Sequence, residues 1–256
     1  MRFIGSKRLL ITYIKKIIEE NIVNWQSLES FCDIFAGTST VGRSFKRYFK
    51  IISNDILYFS YVLQRAGIQL NKEPSFKGLN EIGISNPLEY LNNIDTTQRE
   101  ANMFILDNYT PSKICERKYL SNSNGALIDM QRIALDDWIA NKHITQNEYF
   151  YLLCSIIEAV PFVSNIAGTY GAYLKNWDKR SFKKLDLQKP QLYNNNKKNI
   201  SFNKDSNELI REISGDILYI DPPYNSRQYS RFYHVLENLT QWKKARQWIG
   251  GLGIIY

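Results

Sequence analysis

In the stretch Ile217-Leu218-Tyr219-Ile220-Asp221-Pro222-Pro223-Tyr224, an apolar run stops abruptly at a carboxylate, two prolines and a tyrosine. Ile217 to Ile220 read as a buried strand. Proline has no N–H to give to a ladder, so the strand ends at Asp221. The two prolines fix φ and stiffen the loop beyond. An acid and an aromatic ring therefore stand on a rigid tip at the carboxyl end of a strand, where open α/β sheets bind ligands. A carboxylate beside a backbone carbonyl accepts hydrogen bonds from an exocyclic NH2, and a tyrosine face stacks on a planar ring. Enzymes that act on a base take it out of the stack, read its edge and clamp its faces. The stretch fits such a pocket. Alone, it fits an ordinary strand exit through a Pro-Pro turn as well.

Three upstream segments share this logic. Phe3-Ile4-Gly5-Ser6-Lys7 precedes apolar residues at helical spacing (Leu9, Leu10, Tyr13, Ile14, Ile17, Ile18). Gly5 and the free amides of the helix start could hold a carboxylate, with Lys7 supplying charge, or the segment is a capped surface helix. Asp33-Ile34-Phe35-Ala36-Gly37-Thr38 reads as a strand end and a small-residue turn, followed by a helix from about 40 to 49. Small residues let a ligand approach the backbone, although the phosphate-cradling GxGxxG pattern is absent. Ile51 to Asp55 then reads as a short strand ending in an acid, placed as for ribose hydroxyls. Asp55 is equally an N-cap for the helix 56–69, and the two roles are compatible.

Taken together and in this order, these segments resemble the alpha-group (Dam-like) adenine-N6 DNA methyltransferases of type II restriction–modification systems. The resemblance covers the chain to about residue 240. It implies an α/β fold: a Rossmann-like, S-adenosylmethionine-dependent sheet with a mostly helical inserted target-recognition region. It implies that residues 1–70 and 198–256 form the catalytic domain and 71–197 the insert. Gly5 and Lys7 match the N-terminal motif that contacts S-adenosylmethionine, and Asp33, Phe35 and Gly37 match the cofactor loop. Asp55 matches the ribose-binding acid, and Asp205 the position near the cofactor adenine. Asp221, Pro222 and Tyr224 match the catalytic motif. One departure stands out: Ser39 occupies the place of a second glycine in the family loop.

Between these segments lie a polar excursion over 71–120 and two helices, 124–141 and 147–162, the second nearly apolar. Residues 163–184 combine glycines, aromatics that look exposed, Asn165 and five cations. That composition suits a loop lying on double-stranded DNA, or a solvated basic hairpin. Ile200 to Phe202 reads as a strand and Glu208 to Ile213 as a short helix. Asn225 to Arg231 reads as a basic loop beside the pocket, and His234 as a surface or packing residue of the helix that follows, roughly 232–242. A net charge of +8 and seventeen tyrosines favour a polyanionic, base-bearing partner.

The three cysteines lie far apart without metal-ligand spacing, so neither disulfides nor a metal site is expected. No apolar run reaches the roughly 20 residues of a membrane span, and no signal peptide is visible. A cytoplasmic protein is the expectation, working beside a cognate restriction endonuclease. The stretch after Tyr224 is short for a doubly wound sheet, so C-terminal strands are expected to be missing. Two other classes compete: a DNA-binding remnant without turnover, and a methyltransferase acting on another amine such as RNA.

Overall fold

The computed structural model describes residues 7–97, 103–113, 115–223 and 229–241. Gly5, Tyr224 and the loop residues 225–228 lie outside them. In chain order, α1 (Ile11–Asn21), β1 (Ser30–Asp33), α2 (Thr40–Phe45), β2 (Lys50–Asn54) and α3 (Tyr58–Gln64) come first. Then follow α4 (Lys77–Glu81), α5 (Pro87–Asn92), α6 (Phe104–Tyr109), α7 (Asn122–Ala140) and α8 (Gln146–Val163). β3 (Ile200–Phe202), α9 (Ser206–Leu209), β4 (Ile217–Tyr219) and α10 (Tyr229–Thr240) complete the order. The described residues form two compact units. One lies within Phe3–Glu73 and Gln191–Ser226, the other within Pro74–Pro190 and Arg227–Tyr256.

The first unit is an α/β layer around a four-stranded sheet in the order β3-β2-β1-β4, with every pair parallel. Phe31 of β1 stacks on Phe45 of α2 at 4.8 Å between ring centroids and also faces Phe49. Ile51, Ile217 and Ile18 of α1 close this core, and burying each such side chain is worth roughly 1.5–3 kcal/mol. The amino ends of β1 and β4 are tied by one carboxylate. Asp216 accepts hydrogen bonds from the Glu29 amide (3.0 Å), the Ser30 amide (2.8 Å) and the Ser30 hydroxyl (2.7 Å). The Ser30 hydroxyl and these amides hold the Asp216 carboxyl below the usual carboxylate range.

Expectation and structure differ at β4. The run 217–220 is not a buried strand throughout: β4 ends at Tyr219, and Leu218 and Ile220 are 44% and 58% exposed. Side chains alternate along a strand. Ile217 and Tyr219 turn to the core shared with α1, whereas Leu218 and Ile220 turn the other way, on a strand that is an edge among the described residues. Two helices are also shorter than their patterns suggested. α2 stops at Phe45, and α9 spans Ser206–Leu209 instead of 208–213.

The second unit is helical. α8 starts with a reciprocal cap in which the Glu148 amide donates to the Thr145 hydroxyl and the Glu148 carboxylate accepts from the Thr145 amide. Asp129 of α7 is fully buried, yet it accepts from the Ile105 and Leu106 amides (2.9 and 2.8 Å) at the start of α6. α10 is held by the Asn238 side chain donating to the Tyr109 hydroxyl at 2.6 Å. The His234 ring packs beside Tyr109 and Tyr119. No described helix is long and apolar enough to cross a membrane.

At the carboxyl edge of the sheet, one amide side chain holds three segments. Asn54, fully buried, donates to the Ile34 carbonyl (3.2 Å), the Lys204 carbonyl (3.0 Å) and the Ser206 hydroxyl (3.1 Å), and accepts from the Lys204 amide (3.0 Å). Asn54→Ala removes these contacts; the Ile34 carbonyl keeps the bond from the Ser206 hydroxyl (2.8 Å), but the Lys204 amide and carbonyl lose their shared partner on β2. The substitution should cost about 2–3 kcal/mol in urea denaturation. A loss below about 0.5 kcal/mol, the usual limit for a surface change, would show that the edge is held by other means.

Candidate active site

The strand register decides where the acids meet. Asp33 pairs with Ser53 on β2 and with Tyr219 on β4. Asp55 and Asp221 follow those partners by two residues, so both leave the sheet at the edge where β1 ends. The strand order also reverses here, since β2 and β3 lie on one side of β1 and β4 on the other. Such a switch point opens a crevice at the carboxyl ends of the strands.

Residues 34–39 are clamped from β2 and α3. The Ala36 amide donates to the Asn54 carbonyl at 2.8 Å. The Gly37 amide donates to Asp55 Oδ2 at 2.8 Å, while Asp55 Oδ1 accepts from the Leu57 amide at 2.9 Å. The Ser60 hydroxyl donates to the Gly37 carbonyl. Gly37 sits at φ 51°, a left-handed conformation that costs an L-residue roughly 1–2 kcal/mol. Ser39 adopts φ 62° without being a glycine, and its hydroxyl is buried without a hydrogen-bond partner. The place where the family loop has glycine is therefore a strained place for serine.

Asp33 is 1% exposed, and neither carboxylate oxygen is reached by a hydrogen bond of normal geometry. Burial, followed by the negative charges of Asp55 and Asp221, raises its carboxyl from 3.8 to about 7. The nearby amides of Gly42 and Phe35 offset only part of this. Asp221 is half-buried, with Lys7 Nζ 2.9 Å from its Oδ2. The Tyr219 hydroxyl is hydrogen-bonded to Asp221; burial and then the charges of Asp221 and Asp33 push that phenol up to about 12. Lys7, Asp33, Asp55 and Asp221 thus belong to one electrostatic neighbourhood, with Phe35 and Gly37 on its loop. Asp205 is exposed, and its carboxylate caps α9 by accepting from the Asn207 amide at 2.7 Å.

Ser60 and Tyr219, and the locking role of the Asn54 side chain, are what sequence reasoning passed over. Only Tyr219 left a signal: two residues before the acid on a strand, it shares a face with Asp221.

In the helical unit, residues 163–184 differ from their composition. Tyr170 and Asn165 are buried, so neither belongs to an exposed reading surface. The Asn165 side chain donates to the Leu174 carbonyl (2.9 Å) and accepts from the Asp178 amide (2.9 Å), which folds the loop on itself. Arg180 pairs with Asp178 at 3.2 Å and donates to the Ile166 carbonyl. Lys175, Lys179, Lys183, Lys184 and the ring of Phe182 remain exposed.

Two substitutions test the strained loop. A carboxyl held near 7 binds a proton that the unfolded chain releases near 3.8, so folding stability falls as pH rises between these values. At about 1.4 kcal/mol per pH unit, the total is about 4 kcal/mol. Asp33→Asn should therefore stabilise the ligand-free protein at pH 7.5, with the gain shrinking steadily as pH falls toward 4; a pH-independent gain in thermal denaturation would sink the assignment. Ser39→Gly should stabilise by about 1 kcal/mol at all pH values, by relieving the left-handed strain.

The comparisons agree with this geometry. The family model described as D12 class N6 adenine-specific DNA methyltransferase matches residues 3–248. The type II methyltransferase M.FokI of Planomicrobium okeanokoites is 48% identical over 94% of this chain, which spans 37% of that relative. The modification methylase StsI of Streptococcus sanguinis is 46% identical over 94% of the chain and 36% of its own length. The type II methyltransferase M.NlaIII of Neisseria lactamica is 36% identical over 94% of the chain and 69% of its own length. The chain thus spans little more than a third of M.FokI and StsI. No solved structure matches. With nearly the whole chain matched, and the parallel sheet and acid-rich edge in place, the chain belongs to the D12 class N6 adenine-specific DNA methyltransferase family.

Proposed function

We propose that the sheet unit is the catalytic part of a Rossmann-like methyltransferase that uses S-adenosylmethionine and acts on N6 of adenine in double-stranded DNA. The observation that carries this reading is the convergence of Asp33, Asp55, Asp221 and Lys7 at the switch point between β1 and β4. The donor set suits the cofactor. S-adenosylmethionine carries a sulfonium and an ammonium, and neither oxygen of the buried Asp33 carboxylate accepts a hydrogen bond of normal geometry from the protein. When bound, the cofactor supplies an electrophilic methyl group on a positively charged sulfur.

Each residue then has a role. Asp33 faces the cationic part of the cofactor, and the loop at Phe35 and Gly37 lets it approach the backbone. Asp55, already oriented by the Gly37 and Leu57 amides, accepts from the ribose hydroxyls. Gly5 and Lys7 complete the cofactor side, and Asp205 stands by the adenine ring. Asp221 and the Pro222 carbonyl accept hydrogen bonds from the target amine, which keeps its lone pair out of ring conjugation. Lys7 and the Tyr219 hydroxyl hold the Asp221 carboxylate in place. Tyr224 stacks on the extruded base. Alignment and fixed charges supply the rate.

Residues 71–197 act as the inserted target-recognition region, with the exposed lysines of 163–184 on phosphates. Residues 1–70 and 198–256 carry the chemistry. Further strands beyond β4 belong to this reading, and the exposed Leu218 and Ile220 mark a face of β4 that a further layer would cover, since parallel sheets are ordinarily covered on both faces. A restriction endonuclease of the same specificity is the expected counterpart.

Transfer of tritiated methyl from S-adenosylmethionine to DNA tests the reading. Asp221→Ala should abolish transfer while equilibrium cofactor binding stays within about threefold, a difference under 1 kcal/mol. Normal methylation by that variant would overturn the mechanism. Transfer to RNA in place of DNA would favour another amine as substrate, and a gel shift without transfer would favour a DNA-binding remnant.

A further inference from the structure

Between Ser181 and Leu185, both fully buried, the helical unit carries three exposed side chains in a row: Phe182, Lys183 and Lys184. Phe182 is 64% exposed. One residue fixes the backbone beneath them. Asn124 of α7, itself buried, donates to the Ser181 carbonyl (3.2 Å) and the Lys183 carbonyl (2.9 Å), and its Oδ1 accepts from the Leu185 amide (2.9 Å). The Ser181 and Lys183 amides are engaged as well, donating to the Asp178 and Arg180 carbonyls at 2.9 and 3.1 Å. Just beyond, Asn92 of α5 accepts from the Leu187 amide (2.7 Å) and donates to the Leu187 carbonyl (3.1 Å). The Trp177 ring backs Phe182, with centroids 5.2 Å apart and planes tilted by 48°. An apolar ring is thus held out to solvent on a backbone with little freedom left.

A single exposed apolar side chain is ordinary and needs no partner. The surroundings of this one select a partner. Lys175, Lys179, Lys183 and Lys184 are exposed in the same loop. The acids nearby in sequence are already engaged: Asp178 with Arg180 at 3.2 Å, and Asp186 with the side chains of Asn92 (3.1 Å) and Gln188 (2.6 Å). The local excess of charge is therefore positive, and it surrounds an aromatic pair. Two rings offer at most a few hundred Å², short of the roughly 800 Å² per partner of a stable protein interface. Duplex DNA fits better, because it offers phosphates to the lysines and a base step that an apolar side chain can enter. We propose that Phe182 is a wedge: on DNA binding its ring inserts at a base step, backed by Trp177, while Lys179, Lys183 and Lys184 bind neighbouring phosphates. The inference rests on the proposed DNA-methylating function for its partner. It adds a contact with the base stack that phosphate binding does not require. Holding the ring in place beforehand lowers the entropy cost of insertion and so offsets part of the cost of unstacking the step.

The full chain and two probes test this: sheared genomic double-stranded DNA for affinity across a salt series, and a closed-circular plasmid relaxed by topoisomerase for unwinding. Wild-type protein bound during relaxation should shift the linking number of the plasmid, because a side chain inserted at a base step untwists it. Phe182→Ala should abolish that shift at matched occupancy. It should also weaken binding to sheared DNA about tenfold, the scale of one base–aromatic stack. Its salt dependence should keep the wild-type slope, since no phosphate contact is lost. Lys183→Gln should do the reverse, with a slope shallower by about 1 and the unwinding retained at matched occupancy. Phe182→Trp should restore the shift, which separates loss of the ring from loss of the fold. An undiminished shift in Phe182→Ala overturns the proposal, as does a wild-type protein that binds the plasmid without unwinding it. If the wild-type protein unwinds DNA but transfers no methyl group to it, the wedge stands and the methylation reading falls. If it methylates DNA and Phe182→Ala binds and unwinds like it, the wedge alone falls. If it neither binds nor methylates DNA, both fall.

Discussion

A carboxylate removed from water without a partner is the constraint to which the sheet edge is built. The same protein shows the ordinary solution at Asp129, where two α6 amides satisfy a fully buried acid. Asp33 has no such bonds and two acidic neighbours, and its carboxyl is driven to about 7. A fold retains an arrangement of this kind only if the surroundings over-determine it. They do: Asn54 locks the turn after β1, Asp55 and Ser60 grip Gly37, and Lys7 with Tyr219 holds Asp221. Charge placed ahead of the ligand is what a site for a cationic group needs, because the dipoles need not reorganise when it arrives.

Much of this was legible in the residues. The strand ends at Asp33 and Asn54, the stop at Asp221-Pro222-Pro223 and the two long helices follow from periodicity and from proline chemistry. Asp55 read both as a helix cap and as a site acid; the cap position of α3 is Leu57, and Asp55 instead accepts from the Leu57 amide just before the helix while it grips Gly37. Other features follow from tertiary placement and have no local signature. An apolar run does not say whether a strand is central or at an edge, so the exposure of Leu218 and Ile220 could not be read from it. Composition also cannot separate an aromatic that faces solvent from one that fills a loop. Tyr170 has the same neighbours in sequence either way, but its hydroxyl is bonded to Ser164 and its ring is buried.

Ser39 lies between these cases. Its departure from the family's glycine was evident in the sequence. The structure adds a backbone cost at φ 62° and an unsatisfied hydroxyl. Strain and unpaired polarity therefore gather at the same turn as the unpartnered Asp33. A site poised for binding is often less stable than its scaffold requires.

The tie at Asp216 reaches across most of the polypeptide. Its partners are Glu29 and Ser30, which leave the ribosome long before it does. β1 and β2 can pair early, being close in sequence, but β3 and β4 join them only after residues 74–190 have been synthesised. Contacts of such separation are slow to form, whereas the helical segment is dominated by near neighbours. During translation the helical segment therefore has the opportunity to fold first. Until Asp216 emerges, the aromatic stack on Phe31 lacks its last wall, and the nascent chain carries an exposed apolar face that a chaperone would recognise.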